Sequence, residues 1–494
     1  MQTDHDVVTT WLPDPSHYPE QMTPLSATVW FEAMGAGLHS AARELRAPFG
    51  GFATCTQLGW AYELELPAEW DPDPERLRDA ALTLPERWQS VLLPRVHAIT
   101  HEIEAMRPEP PAPEQATSLF DRLWELVQEQ WQLHFLTVLP AQFAAQVLHD
   151  EYSARYPDQD ELAPYRLLEG IENPADVAIR ELASLARALG VEDIIREYLP
   201  EPALQLLAGS ARGRRWLHAL DEYLLLFGGR VRWHELSLPR EVEQPTLTLE
   251  SIRLLLDGSG PTVSARTIDA PADLRDLVQR VRAAYALKEL HTYEIDYPGL
   301  LATREALLGF GRRLYAEGLL EEVADVWMLE RSELRDVVAG EDLPTREIVA
   351  NRRAELSRGK EQGPAPFLGD PPPASERHAI LENFYGRARA GLAGTGASRG
   401  EAEGTARVVT GERDFARVER GDVLVTTTTT PAWTPLFPSL AALVTETGGI
   451  LSHAAVVARE YGLPAVVGVA DATRTIPDGA RIRVDGGAGT VVLL

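Results

Sequence analysis

At 494 residues the chain exceeds what one ordinary hydrophobic core serves, and its length predicts two to four domains. A net charge of −27 argues against nucleic acid or an anionic membrane surface as the main partner. The single cysteine, Cys55, excludes an internal disulfide framework and a cysteine-built zinc site.

The first fourteen residues lack the basic and then apolar pattern of a signal peptide, and no run nears the roughly 18 apolar residues that cross a bilayer. A cytoplasmic protein is expected. Lysine occurs only at 288 and 360, so any grip on phosphate must come from arginine, backbone N–H groups or a bound metal.

In chain order, the alternating stretch Phe52–Leu66 with its central glycine predicts a β-hairpin. His97 and His101, one helical turn apart beside Glu102, read as a solvated helix face rather than a shared metal site, and no metal site is assigned. Prolines in Arg107–Pro113 and again in Gly363–Pro373 mark loops or stiff spacers. Phe120, Trp124, Val127, Trp131 and Phe135 recur at spacings of three and four, which places them on one helix face, as core packing in preference to the lining of an aromatic acceptor pocket. Pro174–Leu189, Leu274–Leu290 and Leu300–Glu317 repeat the helical pattern, the first with proline where a helix tolerates it.

The glycine-rich stretch Gly391–Gly400 reads as a hinge, and the texture changes after it. Short β-rich runs follow at Ala406–Thr410, Asp422–Thr428, Ala442–Thr445, Ala465–Val469, Arg481–Asp485 and Thr490–Leu493, with a helix predicted over Ser452–Tyr461. The expected architecture is a mostly α-helical N-terminal body with some β over 1–387, which has room for two subdomains. A linker follows over 388–400, and then a compact α/β module over 401–494.

The chemistry is concentrated in Thr445–Gly468, TETGGILSHAAVVAREYGLPAVVG. A strand ends at Thr445, Gly448 and Gly449 turn the chain, and Ser452 is a suitable N-cap for the next helix. His453 then falls in the first helical turn, where free N–H groups and the helix dipole favour an anion. Imidazole is a competent nucleophile near neutral pH, so a histidine there can accept and pass on a phosphoryl group.

Thr445, Gly448, Gly449, Ser452, His453, Ala455, Ala458, Arg459, Gly462 and Pro464 match a pattern that resembles the phosphohistidine, or mobile, domain of the phosphoenolpyruvate-utilising enzymes. That family includes phosphoenolpyruvate synthase, rifampicin phosphotransferase and phenylphosphate synthase. The resemblance extends to Gly404–Val409, Pro431–Phe437 and Val484–Val491, with Thr430 where relatives often carry Asp and Arg399 in place of their proline. It implies a swivelling domain with His453 as phosphoryl carrier and Thr445, Gly448, Gly449, Ser452 and Arg459 as its support.

The body resembles, more weakly, the acceptor-binding part of rifampicin phosphotransferase through His17–Leu25, Phe227–Leu238, Glu289–Asp296 and Ala324–Leu334, with Gly229 where relatives carry a histidine. Arg230, Arg232, His234, Glu235 and His291 are the candidates for binding or activating the acceptor, or else for surface ion pairing. No ATP-grasp domain or G-x-x-x-x-G-K-[ST] loop is legible. The resemblance therefore implies that no cofactor is bound directly. ATP and Mg2+ would act through a separate ATP-grasp protein, giving a pyrophosphoryl-histidine and then phosphohistidine for a small-molecule hydroxyl. A dehydratase or lyase working through the same phosphohistidine, or a non-catalytic regulatory relative, fits the same motif.

Overall fold

The computed structural model describes residues 10–13, 18, 20–106, 113–160, 162–171, 173–229, 235–256, 270–369, 392–429, 433, 436–437 and 439–494. The fold is mostly helical before an α/β C-terminal region, as the periodicities predict. The chain divides into two compact units. The first comprises Met1–Ala144, Trp233–Arg240 and Ala283–Glu376, and the second Ala145–Arg232, Glu241–Arg282 and Arg377–Leu494.

In the first unit, strands β1 (Thr10–Pro13), β2 (Gly51–Gln57), β3 (Trp60–Leu66) and β4 (Leu368–Gly369) form an antiparallel sheet in the order β2-β3-β1-β4. The predicted hairpin is β2–β3, with Phe52 opposite Glu65. Its two-residue turn places both Leu58 and Gly59 at positive φ, the geometry that matches the twist of the flanking strands. Helix Pro113–Arg155 contributes Phe120, Val127 and Trp131 to the core, so that part of the aromatic stripe is packing. Trp131 lies 4.7 Å from the Trp30 ring, and the long helix approaches helix Gly35–Leu45 so closely that a Cβ at Gly37 would meet Trp131 at 2.6 Å. Trp124 is less buried. The Arg331 guanidinium covers its ring at 4.3 Å.

Helices Pro174–Leu189, Glu192–Glu197, Pro200–Ala208, Ala211–Phe227 and Thr246–Leu256 belong to the second unit and enclose Trp216. The first of them has the predicted bounds, and its ends explain why. The Asn173 side chain accepts from the Ala175 N–H, Pro174 begins the first turn, and Gly190 closes the helix at φ 63°. The other two predicted helices begin and end within a few residues of expectation, at Arg275–His291 and Tyr297–Ala316. Between them lies a π turn, Thr292–Asp296, that simple 3.6-residue periodicity does not reveal.

The C-terminal sheet has seven strands: β5 (Thr395–Ser398), β6 (Glu401–Val408), β7 (Val423–Thr426), β8 (Ala442–Thr445), β9 (Ala465–Val467), β10 (Arg481–Asp485) and β11 (Thr490–Leu493), in the order β11-β10-β6-β7-β8-β9-β5. β6 to β9 run parallel, with antiparallel strands on both sides. Leu424 and Leu443 face one core, while Val423, Val425, Ala442 and Val444 face another, so the central strands read as unbroken apolar runs.

Part of the glycine-rich stretch read as a hinge is a strand. Thr395–Ser398 is strand β5, paired with β9, and a Cβ at Gly394 or Gly396 would meet the carbonyl oxygens of Val467 or Gly486 at 2.3 and 2.5 Å. These two glycines serve close approach of backbones. The remainder of the predicted linker, 388–391, lies outside the described residues.

Candidate phosphohistidine site

The histidine loop is built at the carboxyl ends of the parallel strands, where open α/β sheets bind ligands. From β8 the chain turns at Gly448, whose φ of 105° suits only glycine, and enters helix His453–Tyr461. Ser452 is extended, and its hydroxyl accepts from the Ala455 N–H, which caps the helix that starts at His453. His453 is half-buried, with the edge of its ring system set against the buried Phe437 at 6.5 Å.

A hydrogen-bonded lattice holds the loop from below. Glu446 N–H donates to the Thr426 carbonyl, and the Thr447 N–H and hydroxyl both donate to the Thr427 carbonyl at 3.0 Å. The Thr445 hydroxyl donates to the Thr447 carbonyl at 2.7 Å. Glu446 accepts from the Thr473 N–H at 2.8 Å, from the Thr473 hydroxyl at 2.5 Å and from the Thr427 hydroxyl at 3.1 Å. Glu446 and its threonine partners were not singled out from sequence. Glu446 stands at a place the motif does not specify, and Thr473 joins it only through the fold.

The rear of the helix is equally fixed. Gly462 caps it at φ 62°, the Leu463 N–H donates to the Ala458 carbonyl at 2.8 Å, and buried Arg459 donates to the Ala397 carbonyl of β5 at 3.0 Å. Arg459 also lies 5.9 Å from the Tyr165 ring, and Arg399 pairs with Asp160 at 2.5 Å. Burial pushes the Tyr461 hydroxyl pKa well up, with the Asp176 and Glu460 carboxylates adding to the shift. Arg459 ties the helix to β5.

Residues 418–489 match the family described as PEP-utilising enzyme, mobile domain. The C-terminal module is a PEP-utilising mobile domain. Over 100 residues it is 49% identical to a probable phosphoenolpyruvate synthase of Archaeoglobus fulgidus, a stretch covering 20% of this chain and 13% of that protein. A wider match, 40% over 340 residues, is to the rifampicin phosphotransferase of Bacillus subtilis and covers 61% of this chain and 38% of the relative. The uncharacterized phosphotransferase YvkC of Bacillus subtilis is 25% identical over 534 residues, covering 100% of this chain and 63% of its own length. The chain thus spans less than two thirds of each of these relatives. Among the described residues no helix is long and apolar enough to cross a membrane.

Arg230, Arg232 and His234 lie outside the described residues. Glu235 is buried in the first unit, where it accepts from the Thr23 N–H at 3.0 Å, the Thr23 hydroxyl at 2.7 Å, the Ser26 hydroxyl at 2.5 Å and the Ser237 N–H at 2.9 Å. Such a carboxylate clamps residues 235–237 to the start of helix Pro24–Thr28 and has little capacity left for a proton from substrate. Glu235→Ala should destabilise the protein by about 2–4 kcal/mol in denaturant unfolding, because several buried donors lose a charged acceptor. A fully stable variant with lost activity would instead return Glu235 to the role of base.

His291 is buried in the same unit, and burial holds its pKa down to about 4 against the opposing pull of Asp296. His97 and His101 are exposed and pair separately, with Glu294 at 3.1 Å and Glu104 at 3.7 Å, as their reading as a solvated face requires.

Proposed function

We propose that this chain is a phosphotransferase component in which His453 carries a phosphoryl group from an ATP-grasp partner to the hydroxyl of a small-molecule acceptor. The observation that carries this reading is the position of His453 in the first turn of a capped helix, at the carboxyl edge of a PEP-utilising mobile domain. The imidazole nitrogen attacks the β-phosphorus of ATP and AMP leaves. Water then releases the terminal phosphate, and the remaining phosphoryl group passes to the acceptor oxygen as its proton is taken by a base. The N–H groups of the first helical turn stabilise the charge on the carried group. Mg2+ belongs with ATP on the partner. Relatives named as phosphotransferases support the reaction class.

The test uses the whole chain mixed with a purified ATP-grasp protein and ATP labelled at either the β or the γ position. Label from the β position should remain on the chain, labile to acid and stable to base, while γ label should appear as inorganic phosphate. Retention of γ label with loss of β label would overturn the pyrophosphoryl route. No label from either position would overturn the carrier role.

A further inference from the structure

We propose that His134, His291 and Asp296 form a binding site for a divalent first-row transition metal ion. One nitrogen from each ring and one carboxylate oxygen lie within 4.8 Å of one another. His134 Nδ1 is 2.7 Å from Asp296 Oδ1, and His291 Nε2 is 3.4 Å from Asp296 Oδ2. Ligand atoms around a tetrahedral ion with bonds of about 2.0–2.1 Å sit roughly 3.4 Å apart, so small side-chain rotations bring all three into reach.

The hydrogen bonding points to a cation. His291 Nδ1 lies 3.2 Å from the Leu287 carbonyl oxygen, which can only accept, so this nitrogen carries the hydrogen. In its neutral form the ring turns the lone pair of Nε2 toward a carboxylate oxygen. A metal ion held between these atoms takes both the ring nitrogen and the carboxylate oxygen as ligands in a mostly buried place. The Leu287 carbonyl also orients the ring as the outer partner of a metal-bound histidine does.

The backbone supplies the rigidity such a site needs. Asp296 ends the π turn Thr292–Asp296, and the Gln130 side-chain amide donates to the Ile295 carbonyl at 2.8 Å. That amide is packed so closely against Gly299 that a Cβ there would meet it at 1.4 Å. Trp131 and Phe135 flank the His134 ring at 4.9 and 4.7 Å and form an apolar wall. Two imidazoles and one carboxylate suit zinc, iron or cobalt better than calcium or magnesium, which take oxygen ligands, and leave a coordination position open for water or a substrate oxygen. The site draws only on residues of the first unit and does not depend on the phosphohistidine reading.

The full chain, stripped with a chelator, is titrated with Zn2+ by calorimetry and with Co2+ by visible absorption. One equivalent should bind with micromolar or tighter affinity, and Co2+ should give the intense absorption of a four- or five-coordinate ion. Affinity should fall at least about 100-fold in His134→Ala and in His291→Gln and more than 10-fold in Asp296→Asn, with unchanged far-ultraviolet circular dichroism, while His97→Ala binds normally. If one variant fails to fold, the other two carry the comparison. Absence of binding to the native chain, or equal binding by a folded His134→Ala/His291→Gln double variant, would mean that a proton or nothing occupies the cluster and that the proposal is wrong.

Discussion

His453→Ala should reduce acid-labile phosphoryl label on the chain, and transfer to any acceptor, by at least about three orders of magnitude, the scale on which loss of a covalent nucleophile acts. The fold should survive. Position 453 is half-buried in the first turn of a helix, alanine has the highest helix propensity, and the cap is made by Ser452 and not by the histidine. Labelling is measured by phosphoramidate retention after alkaline denaturation, and folding by circular dichroism and thermal unfolding. Comparable label in the alanine variant would place the carrier on another residue and remove the basis of the proposed reaction.

Gly448→Ala should be the most damaging substitution in the loop that leaves the histidine itself in place. At φ 105° an alanine is strained, and its Cβ would lie 2.8 Å from the Ser452 hydroxyl oxygen and 3.0 Å from the Ser452 Cβ. Ser452 has to move, and with it the contact to the Ala455 N–H that starts the helix. Backbone strain and loss of the cap together predict a destabilisation of about 2–4 kcal/mol and at least a tenfold loss of labelling rate. Gly462→Ala is the matched control. It is also at positive φ, but open space surrounds it, so it should cost only about 1 kcal/mol and leave labelling intact. Equal effects on labelling from the two variants would show that the Gly448–Ser452 contact does not position His453.

How much of this was legible in the sequence depended on whether the signal was local. Strands β8, β10 and β11 have the predicted bounds because each is a short β-rich run, apolar or alternating, beside turn residues. Helix Pro174–Leu189 was equally legible because its cap residues sit in the chain beside it. The histidine loop could be read for the same reason, since Gly448, Ser452 and Gly462 all act on neighbours within a few positions. Strand β5 was hidden because its glycines have two physical uses, freedom and close approach. Only the carbonyls of Val467 and Gly486, distant in sequence, decide which applies. The hydrogen bonds of Glu235 were hidden for a related reason. Its partners Thr23 and Ser26 lie more than two hundred residues away. The His134–His291–Asp296 cluster likewise joins a long helix to a π turn, a juxtaposition that no spacing rule encodes.

Strand β5 has a mechanical consequence. Its Ala397 carbonyl receives Arg459, and the Ser398 hydroxyl donates to the Ala458 carbonyl at 3.3 Å, so the strand that leads into the mobile domain is bolted to the helix that begins with His453. Pairing with β9 braces that joint from the side. A pull or twist arriving at Leu392 is therefore not absorbed in slack chain. Any rotation of the strand would carry the imidazole with it, as on the tip of a stiff lever.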